Sequence, residues 1–200
     1  MADQGWLVRR YTATRLHKWK EEKNESCVKG ELAHLRREIG KPPGASPAIW
    51  GILFDGFPEE LMSKNGDATW AEWAVSTALC AYALHQQGND ISKNDMNKEG
   101  QSLGKAVRSL APMHDEENLE RIRKRFNIFA TAADIQECAY YLRGLVQMLR
   151  ANSIPLDYPT LAYDLYEFQT PNGAPRVRLR WGQDFYRITK SEEREENNND

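Results

Sequence analysis

At 200 residues the chain is long enough for one sizeable apolar core or two small helical bundles. A formal net charge of −2 excludes a uniformly basic nucleic-acid coat. Cys27, Cys80 and Cys138 are odd in number, far apart and without C-x-x-C spacing, which excludes a disulfide framework and suits a reduced, cytoplasmic setting. The start MADQGWLVRR lacks the apolar core of a signal peptide, and no stretch reaches the roughly 20 apolar residues of a membrane span.

The net charge hides an uneven distribution. Residues 5–41 hold ten Lys/Arg against five Glu, and residues 51–100 hold three Lys against eight acids. Residues 173–190 hold five bases against Asp184, and the tail from Ser191 holds five acids against Arg194. Such asymmetry fits a polyanion-facing side backed by a solvated side; it also fits ordinary solvated helix faces.

In chain order, Val8, Tyr11, Leu16 and Trp19 recur near helical spacing from Trp6 to Lys23, with Arg9, Arg10, Arg15, Lys18 and Lys20 around them. A second helix is expected from Lys29 to Ile39, with Leu32, Leu35 and Ile39 inward and Arg36 and Arg37 pointing away. Gly40-Lys-Pro-Pro-Gly44 stops it, and Ser46-Pro47 restarts a helix whose Ile49, Trp50, Ile52, Leu53 and Phe54 read as core. Thr69-Trp-Ala-Glu72 matches a capping box opening a helix to about Gln87, with Trp70 and Trp73 inward. Residues 88–100 are polar, Asn-rich and aperiodic, so 89–100 is read as a linker. It divides an N-terminal helical bundle (1–88) from a C-terminal one (101–187).

Ser102–Arg150 reads as a short helix, a corner at Pro112, and a hairpin of two amphipathic helices. Leu119, Ile122, Phe126 and Phe129 make one stripe; Ile135, Cys138, Ala139, Leu142, Val146 and Leu149 make the other. Arg121, Lys124 and Arg125 lie off the first stripe, and Arg143 and Arg150 near the edge of the second. One more helix is expected around Leu156–Phe168, ended by Pro171-Asn-Gly173. Residues 176–181 (RVRLRW) alternate at the period of a strand, which predicts a short extended segment with Val177, Leu179 and Trp181 inward. The acidic stretch 188–200 is expected to be disordered.

Catalytic patterns are missing. His17, His34, His85 and His114 lie in separate segments; no nucleophile elbow, phosphate-binding loop or zinc spacing occurs, so neither metal nor cofactor is expected. Neighbouring acids such as Glu116-Glu117 diverge around a helix and fit its N-terminus. Arginine pairs are better suited to chemistry: Arg121/Arg125, one turn apart, and the adjacent Arg36/Arg37 can grip successive phosphates through forked donors. The i,i+4 pairs Glu117–Arg121 and Glu120–Lys124 offer an intrahelical use for the same charges. Trp50, Trp70, Trp73 and Trp181 lie on apolar stripes and read as core rather than as base-stacking platforms.

The segments LRREIGKPPGASPAIWGIL (35–53), SLGKAVRSL (102–110), RKRFNIFATAAD (123–134), LRGLVQMLRANSIPLDYPTLAYDLY (142–166) and VRLRWGQDFY (177–186) occur in order between Cys27 and Tyr186. Together they resemble the CasB family, small subunits of the type I-E CRISPR surveillance complex Cascade. The resemblance implies an all-α, non-enzymatic protein of two small bundles. Its partners would be the crRNA, the target and non-target DNA strands, the backbone and large subunits, and a second copy in a head-to-tail dimer. Its role would be to support the guide–target duplex and the displaced strand, stabilising the R-loop. On the matching positions, LRR carries Arg36 and Arg37, and SLGKA carries Lys105 where the family more often has arginine. RF carries Arg125, with Lys124 beside it, and LR carries Arg143. Arg108 and Arg121 join this set from helix geometry. A free-standing helical DNA-binding regulator is the alternative, since the short loop between the long helices is loosely helix-turn-helix-like. A nucleic-acid hydrolase is a further one, but it lacks a constellation of acids or histidines.

Overall fold

The helix Trp70–His85 is apolar on almost every side, and five other helices pack against it. Apart from Trp70 and Trp73 its residues are buried, as befits a helix surrounded by others. It begins as the sequence predicts: Thr69 accepts from the Glu72 amide while the Glu72 carboxylate accepts from the Thr69 amide. The computed structural model describes residues 3–111 and 115–187. The expected corner at Pro112, the histidine at 114 and the acidic tail lie outside the described residues.

The described chain is all-α, with no strand, in nine α-helices and two short 3₁₀ turns. These helices are α1 (Gln4–Glu21), α2 (Glu25–Leu35), α3 (Trp50–Phe54), α4 (Trp70–His85), α5 (Leu103–Arg108), α6 (Glu116–Ala130), α7 (Ile135–Ala151), α8 (Tyr158–Gln169) and α9 (Gly173–Tyr186). No helix among the described residues is long and apolar enough to cross a membrane. Asp3, Asn24, Asp115, Asp134 and Asp157 cap α1, α2, α6, α7 and α8, each side chain accepting a first-turn amide.

Two groups of helices pack together. In the first, α8 lies against α1 and α4, and α2 covers another face of α4. In the second, α9 lies against α5 and α6 pairs with α7. α7 also touches α4 and α8 touches α9, so the apolar core is continuous. The connector 89–100 is tied to both sides. Met96 is buried, the Gln86 side chain bonds Asn89, Asn94 and Met96, and Asn97 bridges to Leu156 ahead of α8.

Several expectations are corrected. Residues 176–181 are helical, inside α9. The inward set is Val177, Trp181 and Phe185, four residues apart, whereas Leu179 falls on the opposite side and is 63% exposed. Alternation stopped short of Phe185; the longer window carries the helical period. α2 ends at Leu35, so Arg36 and Arg37 lie in the turn after it. Trp50 and Trp70 are half exposed rather than core. Arg15 is buried in α1 because its Nη2 donates to the Tyr11 hydroxyl (3.1 Å) and the Asp55 carbonyl (2.5 Å).

Candidate nucleic-acid interface

The hairpin of α6 and α7 forms as the two stripes predict. Ile122, Phe126 and Phe129 on α6 and Leu142, Val146 and Leu149 on α7 are buried, leaving the arginines at the seam. Arg125 and Arg143 are brought together: both line a groove of about 480 Å³ between the helices, with Ile128, Tyr140, Tyr141 and Gly144. No carboxylate among the described residues lines it. Arg125 Nη1 donates to Met148 Sδ at 3.2 Å, which leans it across the hairpin. Neither Arg125 nor Arg143 makes an ion pair among the described residues.

α7 continues the basic surface. Arg150 follows Arg143 by seven residues, two helical turns and about 10 Å along the same side. Its Nη1 donates to Gln87 Oε1 at 2.6 Å, which fixes it beside the end of α4. Arg36 and Arg37 arrive there from the end of α2. Arg36 is held below the usual guanidinium range, first by partial burial and then by the charges of Arg37 and Arg150. Arg36 thus feels the charges of Arg37 and Arg150, and none of the three makes an ion pair among the described residues. Like charges at such range repel, and a polyanion relieves the repulsion. Arg150 was visible in the α7 pattern but lay outside the expected site; its heptad spacing from Arg143 was the available signal.

The remaining expected residues are used differently. Arg121 does not pair with Glu117; its Nη2 donates to Asn118 Oδ1 at 2.6 Å, and Asn118 Nδ2 donates to the Leu110 carbonyl. That places Arg121 next to the end of α5. Lys124 does pair with Glu120 as i,i+4 spacing allows (3.7 Å), and Arg123 shares the same carboxylate. Lys105 donates to the Gly100 carbonyl (3.0 Å) and Arg108 to the Ala111 carbonyl (3.0 Å), so both are tethered to local backbone, away from the groove's lining.

The basic run of α9 is largely neutralised from within. Arg180 bridges Asp164 and Glu167, Arg176 also takes Glu167, and Arg178 donates to the carbonyls of Ala130 and Ala132 at the end of α6. Its positive sum therefore belongs chiefly to the fold.

A model of the CRISPR-associated protein Cse2 family matches residues 31–186. The chain belongs to the Cse2 family. This stretch of the Cse2 chain holds Arg36, Arg37, the α6–α7 groove and Arg150, and leaves α1 outside. Among solved structures, the chain is similar to CasB from Thermobifida fusca, at 34% identity and a TM-score of 0.74, covering 90% of this chain and 98% of that one. CasB from Thermus thermophilus has the same fold, at 21% identity and a TM-score of 0.63, covering 89% and 97%. No match was found among curated protein sequences. The family match and the CasB likeness together support a CasB-type small subunit of a CRISPR Cascade.

Proposed function

We propose that this Cascade subunit binds nucleic acid without reading its sequence, supporting the crRNA–target duplex and holding the displaced non-target strand. The observation that carries the reading is the α6–α7 groove that brings Arg125 and Arg143 together, followed along α7 by Arg150, whose charge acts on Arg36. Guanidiniums suit phosphates because their charge is permanent and their donors are forked. Such contacts supply affinity that every target shares, as a guide-directed complex requires. Exchange of a DNA duplex for a guide–DNA duplex is close to balanced in free energy, so protein–backbone contacts tip it. Backbone and large subunits, and a second copy arranged head to tail, are the protein partners in this reading. Cytoplasmic action on invading DNA follows from it.

Reconstituted Cascade carrying Arg125→Ala, Arg143→Ala or both tests it. The variants are expected to assemble, to bind target duplex more weakly, and to show a shallower dependence of affinity on salt with lost footprint protection of the displaced strand. Unchanged affinity and footprint in assembled complexes, repeated with Arg36→Ala, Arg37→Ala and Arg150→Ala, would overturn the reading.

A further inference from the structure

The groove beside Arg125 and Arg143 is more than a pair of charges. Tyr140 is 73% exposed and Ile128 49% exposed, both facing solvent from a hairpin whose other large apolar side chains are mostly packed inward. Tyr141 stands edge-on to Tyr140, with ring centroids 5.3 Å apart and planes at 72°. Gly144, one turn after Tyr140, lies in mid-helix and lines the same groove. A Cβ at Gly144 would meet nothing within 4 Å, so neighbour packing does not require a glycine that costs the helix stability. The helical glycines Gly30, Gly51 and Gly182 share that openness, but Gly144 is the one that lines a groove with two tyrosines and two arginines.

We propose that this groove takes an unstacked nucleobase of the displaced DNA strand, stacked against Tyr140 while Arg125 and Arg143 hold the flanking phosphates. The chemistry fits that occupant. Aromatic faces accept any base, cations flank the slot, no carboxylate among the described residues lines it, and the missing side chain at 144 lets a flat ring approach the helix. A stacking surface without base-edge readout also keeps the contact sequence-tolerant. The inference rests on the strand-holding role proposed above and adds the base-binding slot to it.

The test uses complete Cascade with R-loops in which 2-aminopurine is placed singly along the displaced strand. One or more positions should be quenched in the wild type. Quenching should be lost in Tyr140→Ala and in Gly144→Leu, whose side chain fills the slot, and kept in Tyr140→Phe. Strand affinity should fall roughly fivefold or more in Tyr140→Ala, the low end for removing a base-stacking aromatic. If no quenched position responds to either variant while Arg125→Ala still weakens binding, the stacking proposal is overturned and the phosphate role survives. If Arg125→Ala and Arg143→Ala are also neutral, both fail. If Tyr140→Ala instead releases the subunit from the complex, the groove is a protein contact and the stacking proposal is overturned.

Discussion

Trp181 Nε1 donates to Asp164 Oδ2 at 2.7 Å, joining the centre of α9 to α8 through a carboxylate that is only 4% exposed. Arg180 takes the other oxygen at 2.7 Å. Burial pushes the Asp164 carboxyl up, against the pull of Arg180 and Trp181. Asp164→Ala strands the Trp181 donor and leaves Arg180 with Glu167 alone, and should lower unfolding stability by about 2–4 kcal/mol, read by urea denaturation. Trp181→Phe keeps most of the packing but leaves an oxygen without its donor, and should cost about 1–3 kcal/mol.

Gly104 in the SLGKA segment is required by the contact of α5 with α9. A Cβ there would lie 2.8 Å from Asp184 Cβ and from the Phe185 amide nitrogen. Gly104→Ala should therefore cost about 1–3 kcal/mol even though alanine favours a helix, with a lower urea midpoint as the readout. Equal or higher stability would mean that α5 shifts freely against α9.

The helical register of α9 separates two neighbouring side chains. Val177 is fully buried and Leu179 largely exposed. Val177→Ala should cost about 2 kcal/mol and Leu179→Ala stay within about 0.5 kcal/mol. Equal losses at both positions would restore the extended reading of this segment.

His85 is buried at the end of α4, with Nδ1 2.9 Å from the Tyr158 hydroxyl. Burial, then the charge of Arg150, lowers its pKa from 6.5 to about 4. The unfolded chain thus binds a proton at His85 between those values that the folded chain does not, so stability falls as pH drops from about 6.5 to 4. The full effect is on the order of 3 kcal/mol. Urea midpoints across this range should fall more steeply for the wild type than for His85→Gln. Parallel pH profiles would exclude the histidine.

Arg150 is half-buried beside two other guanidiniums and takes no carboxylate among the described residues. Arg150→Gln should change stability by no more than about 0.5 kcal/mol, since it removes repulsion along with the bond to Gln87. In assembled Cascade the same change should weaken duplex binding and flatten the salt slope by about one contact. A large loss of folding stability with unchanged binding would make Arg150 a structural residue.

The α6–α7 hairpin was legible because its stripes at steps of three and four are local and unbroken, and the cap at Thr69–Glu72 because its donors and acceptors lie within one turn. Residues 176–181 alone carry the period of a strand, since Arg176, Arg178 and Arg180 alternate with apolar neighbours; the four-residue step shows only when Phe185 joins Val177 and Trp181. Trp50 and Trp70 sit at apolar positions of short or first-turn segments, where no neighbour closes over them. Arg15 looked like one more surface base until Asp55 and Tyr11 were folded against it. At the candidate site, Arg125 and Arg143 could be expected together from facing stripes, whereas Lys105, Arg108 and Lys124 turned out to have local partners.

By itself the sequence determined the helical class, the capped start of α4, the buried stripes of the hairpin and the family, because periodicity, capping and motif order are properties of nearby residues. Only the tertiary structure decided which charges are spent inside the fold and which stay available. Arg178 and Arg180 are consumed by carbonyls and acids from α6 and α8, while Arg36 comes under the charge of Arg150, remote from it in sequence. Partnership of a charge depends on distances between segments remote in sequence, and those distances are set by how the apolar faces pack.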